Sequence, residues 1–118
     1  MKRKRTVIFT ITSLYVKKVK ENGQEVGERH YYDRNRLVGW YSDLAKAQKC
    51  VEEDWADFDE NWYYNYIVIE KNTEGLYNMS NDLGKQYEWW YRFDYKQEKW
   101  IACEKPQWSV GTINWGLG

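Results

Sequence analysis

The stretch Trp62-Tyr-Tyr-Asn-Tyr-Ile-Val-Ile-Glu-Lys71 decides how this chain must fold. Read with a period of two, it puts Ile67 and Ile69 on one side and Tyr64, Tyr66, Val68 and Glu70 on the other. Both sides carry large side chains, so the strand needs cover on both faces and belongs in the middle of a sheet. Upstream, Arg5 to Lys18 alternates in the same way, with Val7, Phe9 and Ile11 opposite Thr6, Ile8, Thr10 and Thr12, and predicts one long strand. Asn22-Gly23 then supplies the type I′ hairpin signal, because that turn needs positive φ at both central residues. The return strand is expected from Val26 to Trp40, with a polar bulge or break at Asp33-Arg-Asn-Arg36.

Between these strands lies one helix. Ser42-Asp43 offers a capping side chain and a negative charge at the positive end of the helix dipole. Leu44, Ala47, Gln48, Val51 and Trp55 recur on one face of a 3.6-residue repeat, which predicts an amphipathic helix from Leu44 to Trp55, with Phe58 as its outer limit. Downstream, Glu74-Gly75 turns the chain and Asn78 to Gly84 is loop-like. Tyr87 to Tyr95 and Lys99 to Cys103 predict a second hairpin around Lys96-Gln-Glu98, and Val110 to Trp115 a short edge strand. The expectation is an α+β fold: a mostly antiparallel sheet of five or six strands with one amphipathic helix packed on one face, a single domain over residues 1–118. One helix cannot cover a wide sheet, so the other face must be solvated, be capped by the tail, or bind something.

Composition says how such a core can close. Leu, Ile, Val and Phe are sparse, and charged residues reach 31%. Eight Trp and eleven Tyr stand in for the aliphatics, each removing about 150–250 Å² from water when buried. The formal net charge is zero, so no self-repulsion expands the chain. Charge is nonetheless unevenly spread: residues 1–36 carry ten Lys or Arg against four acids, and residues 42–61 two against seven. Cys50 and Cys103 are far apart and fit a reducing compartment rather than a disulfide framework. The alternation after Lys2-Arg-Lys-Arg5 does not resemble a signal sequence, and no apolar run approaches the ~18 residues of a membrane span. The expectation is a cytoplasmic protein that does not engage a membrane.

No catalytic residues, metal ligands or cofactor are predicted. A single histidine, His30, would need both cysteines to converge on it to hold zinc. GxSxG, Walker and GxGxxG patterns are absent. Carboxylate pairs such as Glu70 with Glu74, or Glu88 with Asp94, could serve as acid and base partners only if folding brings them together. Aromatics interleaved with cations are the stronger signal. Tyr31, Tyr32, Arg34, Arg36 and Trp40 form one group, Trp89, Trp90, Tyr91 and Arg92 a second, and Lys105, Trp108 and Trp115 a third. Rings of this kind stack on a flat base, and Arg forks onto phosphate. On a strand Trp89 and Trp90 face opposite ways, so one of them leaves the helix-covered core. Zero net charge argues against long nucleic acid and for a compact ligand or a protein partner.

Several segments together resemble a small uncharacterised protein family of bacterial, prophage and phage genomes. They are Arg36-Leu-Val-Gly-Trp-Tyr41, Asp43-Leu-Ala-Lys-Ala47, Tyr64-Asn-Tyr-Ile-Val-Ile-Glu70, Glu74-Gly-Leu-Tyr77, Glu88-Trp-Trp-Tyr91, Glu104-Lys-Pro106 and Asn114-Trp-Gly-Leu-Gly118. The likeness spans about residues 5–118. It transfers no catalytic residues. It implies an accessory protein of mobile elements that counters host defence, by sequestering a nucleotide immune signal or by blocking a defence protein.

The leading expectation is therefore a binding protein for a small nucleotide-like ligand. Trp40, Trp90, Trp108 and Trp115 would sandwich the base, Arg36, Arg92 and Lys105 would hold phosphates, and Tyr64, Tyr66 and Asn114 would bond ribose or base edges. The alternative is a protein inhibitor of a host defence nuclease or effector, using exposed aromatics and the acids from Glu52 to Glu60 as a phosphate mimic. A metal-independent nucleotide-processing enzyme is the third reading. An edge strand in the tail would also invite pairing with a second copy.

Overall fold

In the computed structural model, residues 6–73 and 87–109 are described. Within them the chain forms β1 (Val7–Leu14), β2 (Val16–Glu21), β3 (Gln24–His30), a 3-10 turn (Tyr32–Arg34), β4 (Arg36–Tyr41), α1 (Leu44–Glu52), β5 (Tyr66–Thr73), β6 (Glu88–Asp94) and β7 (Lys99–Cys103). Five strands make one antiparallel sheet in the order β4-β1-β5-β6-β7, and β2 and β3 form a separate two-stranded ribbon. The α+β class, the antiparallel sheet and the single helix on one face are as the periodicity predicts. Both β4 and β5 run antiparallel to β1, so they are parallel to each other, and α1 makes the crossover between them.

Strand alternation sorts the side chains into two layers. On the helix side, Ile11, Ile67, Ile69, Tyr91, Phe93 and Trp100 pack with Ala47, Cys50, Val51 and Phe58. On the other side, Leu14, Val16, Tyr66, Val68 and Trp90 form a second buried cluster, joined by Cys103 and by Trp108 from the start of the tail. Thr10, Thr12, Glu70 and Asn72 on this second face are buried too, so it is not an open solvated surface.

Local signals account for the element ends. Asp43 Oδ1 accepts from the N–H groups of Ala45 and Lys46 at 2.8 and 3.4 Å and starts α1. The helix does not reach Trp55 as the apolar repeat predicts. It ends at Glu52 because Asp54 turns left-handed (φ 53°), letting Asp54 N–H donate to Val51 and Trp55 N–H to Cys50 in a Schellman closure. Trp55 is left 47% exposed. Asn22 and Gly23 take positive φ of 52° and 79°, as a type I′ turn demands.

Two further expectations are corrected. The first strand does not run unbroken to Lys18: it stops at Leu14 and resumes as β2 after Tyr15. The return strand breaks where the polar stretch before β4 predicts, into β3 and β4 around the 3-10 turn, so the hairpin projects as a ribbon while β1 pairs with β4 and β5. The central strand starts at Tyr66 rather than Trp62, because Glu60, Asn61 and Trp62 all adopt positive φ. The expectations for Glu74-Gly75, Asn78 to Gly84 and Val110 to Trp115 lie outside the described residues.

Asn65 holds the break in place. Its side chain accepts from Val16 N–H at 3.1 Å and donates to Val16 C=O at 2.7 Å, while its own N–H donates to Leu14 C=O at 3.1 Å. Its carbonyl accepts from Phe93 N–H at 3.0 Å. One residue thus satisfies the backbone on both sides of the gap, where no strand partner continues. Replacing Asn65 by Ala strands both Val16 groups. It is expected to lower stability by about 2–3 kcal/mol in urea denaturation, with Asn65→Asp intermediate because it can accept but not donate.

Candidate functional site

The ribbon leans over the second face of the sheet, and a groove of about 610 Å³ opens between them. Gly27 and Glu28 of β3 form one wall, Tyr66, Arg92 and Cys103 the sheet side, and Glu104, Pro106, Gln107 and Trp108 the third side. A smaller adjoining hollow of about 380 Å³ shares Glu28, Tyr66 and Arg92 and extends to Lys18, Asn65 and Tyr95. Both volumes fall in the range that holds small ligands.

Pleating explains which side chains reach the groove. Tyr66 and Arg92 are cross-strand partners on β5 and β6, and Trp90 lies two residues from Arg92 on the same face. Trp108 closes the cluster, with its ring edge-on to Tyr66 and Trp90 at 5.5 and 5.6 Å and tilted against His30 at 4.8 Å. The Tyr66 hydroxyl donates to the two carboxylate oxygens of Glu28 at 2.8 and 2.9 Å, and Trp108 Nε1 donates to the same carboxylate at 3.4 Å. Burial, with the Glu28 carboxylate beside it, pushes the Tyr66 hydroxyl well above the usual tyrosine range. Burial also raises the Cys103 thiol, so it stays protonated at neutral pH. Arg92 is exposed, and among the described residues no carboxylate lies within ion-pair distance of it.

The predicted site residues divide among several places. Tyr66, Trp90, Arg92 and Trp108 come together around the groove. Lys105 is nearby but pairs with Glu88 at 3.1 Å, a carboxylate that also accepts from Trp90 Nε1. Trp40 shares the sheet face but sits at the β4 edge, 60% exposed. Arg36 and Tyr64 lie elsewhere: the Arg36 guanidinium covers the Tyr64 ring at 5.2 Å, pairs with Glu60 at 3.1 Å and donates to Asp57 C=O. Asn114 and Trp115 lie outside the described residues. Glu28 and His30 were not singled out from sequence as groove residues. The only trace of them was alternation across the Asn22-Gly23 hairpin, which sets Lys18 opposite Glu28 and Val16 opposite His30.

Other chemistry is also laid out by the fold. Glu70 is directly opposite Glu88 in the β5–β6 register, and its backbone carbonyl accepts from Thr10 and Asn72. Cys50 packs on the helix side while His30 and Cys103 lie on the groove side, so the sheet separates them. Among the described residues no three His, Cys, Asp or Glu group closely enough to hold a metal. No helix among them is long and apolar enough to cross a membrane.

The fold and groove define an α+β protein with a ligand-sized cleft between a ribbon and a sheet. No protein-family model, curated protein or solved structure matches the chain.

His30, packed against Trp108, gives the fold beside the groove a pH response. Burial lowers its pKa below 6.5, opposed by its 2.7 Å hydrogen bond to Asn35 Oδ1. A histidine lowered on folding stabilises the folded state above the unfolded value, and this contribution is lost as acid drives pH down through the folded value. As the chain's one histidine, His30 should titrate with an NMR midpoint below 6.5, and stability should fall over that window. His30→Gln should flatten the acid loss.

Proposed function

We propose that this is a binding protein that captures a compact anionic ligand with a flat ring, of nucleotide type, in the groove between ribbon and sheet. The observation that carries the reading is Arg92: an exposed guanidinium with no carboxylate partner among the described residues, beside Tyr66 and Trp108 in a groove of about 610 Å³. Arg92 forks onto phosphate, and Trp108 offers a ring to the base. Glu28, already accepting from Tyr66 and Trp108, keeps acceptor capacity for ribose hydroxyls or base N–H groups. The resemblance to a family of phage and prophage genomes supports a counter-defence setting, in which capture without turnover removes a nucleotide immune signal.

Thermal-shift titration with cyclic nucleotides and ADP-ribose derivatives tests this directly. At least one of them should raise the melting temperature. Arg92→Gln should then weaken binding about 10- to 100-fold, the worth of one charged hydrogen-bonded contact. No stabilisation by any of these ligands would sink the proposal.

A second reading rests on a different surface. Trp55 and Trp62, 47% and 51% exposed, stand among Glu53, Asp54, Asp57, Asp59 and Glu60. Exposed aromatics rimmed by carboxylates suit a protein partner with a nucleic-acid-binding surface. Inhibition of a purified defence nuclease that Trp55→Ala/Trp62→Ala abolishes and Arg92→Gln preserves would favour this reading over the first.

A further inference from the structure

The ribbon has a second face, turned away from the groove. There Tyr15 and Lys17 on one side meet Tyr31 and Arg29 on the other: Lys17 is the cross-strand partner of Arg29, and Tyr31 N–H donates to Tyr15 C=O. Two cations directly opposite each other on a ribbon are destabilising. Among the described residues none of Lys17, Arg29 or Arg34 has a carboxylate within ion-pair distance. The Arg34 guanidinium is hydrogen-bonded to the Tyr63 hydroxyl, and Asp33 adds a weaker attraction.

Aromatic rings hold these guanidinium groups instead of carboxylates. Arg29 and Arg34 lie 5.2 and 5.3 Å from the centre of the Tyr31 ring, and Arg34 lies 5.3 Å from that of Tyr15. A guanidinium over a ring keeps in-plane N–H donors that match phosphate oxygens, and Arg34 commits only part of its fork to the Tyr63 hydroxyl. Tyr63, 40% exposed, stacks on Tyr15 with ring centres 4.7 Å apart and planes at 25°. The chain reaches Tyr63 through Glu60, Asn61 and Trp62, three consecutive non-glycine residues with φ of 46°, 59° and 69°. That turn is costly for L-residues, and such strain collects where a side chain must be presented.

We propose that this outer ribbon face is a second binding surface, and that it takes a short single-stranded nucleic acid. Lys17, Arg29 and Arg34 contact successive phosphates, and Tyr63 offers its outer ring face to a base. The zero net charge of the whole chain does not oppose this, because Lys17, Arg29 and Arg34 share this face while the acids from Glu52 to Glu60 lie at and after the end of α1. The surface is distinct from the groove, which is lined by Glu28 on the opposite side of the same ribbon.

Fluorescence anisotropy with a short labelled oligothymidylate tests it. Each phosphate contact on a single strand contributes about −0.7 to the slope of log affinity against log salt, so three contacts predict a slope of about −2. Arg29→Gln/Arg34→Gln should reduce that slope to about −0.7 and weaken binding more than about tenfold. Arg29→Lys/Arg34→Lys should retain the slope, which separates lost charge from lost fold. Tyr63→Ala should weaken binding about tenfold without changing the slope, and Arg92→Gln should leave it unaltered. The proposal is overturned by no binding at roughly 50 mM salt, by an unchanged slope in the glutamine variant, or by equal competition from polyglutamate.

Discussion

The side-chain amide of Asn65 is the constraint on which the arrangement depends. A β-strand that leaves its sheet exposes backbone N–H and C=O groups that must find partners elsewhere. At Tyr15 the chain does this, and Asn65 supplies both partners to Val16 from 49 positions away. Because its own backbone also bonds Leu14 and Phe93, the residue ties β1, β2 and β6 to a single point. Without that tie the hairpin could continue in the plane of the sheet, and neither face of the ribbon would look onto anything. The groove exists because the ribbon is held out of plane.

Once held there, the ribbon divides the aromatic residues by chemistry. Its inner face sets Glu28 and His30 against Tyr66 and Trp108, where hydrogen bonds and burial dominate. Its outer face sets Lys17, Arg29 and Arg34 against Tyr15, Tyr31 and Tyr63, where guanidinium groups rest on rings without carboxylate partners. Tryptophan and tyrosine therefore serve two ends in one small domain. Trp90, Tyr91 and Trp100 close a core short of aliphatics, and Tyr63 and Trp108 lie on the two surfaces proposed for binding.

Ion pairing then separates cations that look alike in sequence. Lys105, Arg36 and Arg92 each sit near aromatics along the chain, yet Lys105 is matched by Glu88 and Arg36 by Glu60. Arg92 has no such match among the described residues, and it is the one of the three that faces the groove. A matched cation must surrender its carboxylate before it can hold a phosphate, whereas an unmatched one need only shed water.

The sequence by itself determined what local periodicity and local hydrogen bonding control. Alternation over β5 and β6 put Ile67 and Ile69 on the helix side and Tyr66, Trp90 and Arg92 together on the other, and the amphipathic repeat placed α1. Asn22-Gly23 specified the hairpin turn and Asp43 the helix start, each through atoms within a few residues. What only the tertiary structure decided were the breaks and the partners. Tyr15 continues the alternating pattern without interruption, so nothing local marks the point where the strand leaves the sheet; the cause, Asn65, is distant in sequence. The left-handed run from Glu60 to Trp62 runs against the preference of its residues; Asp57 and Asp59 hold it by accepting from the Glu60 and Trp62 N–H groups, and the strand alternation does not register it. Which arginine keeps a free guanidinium edge depends on which carboxylates folding brings within 4 Å, a long-range fact with no local signature.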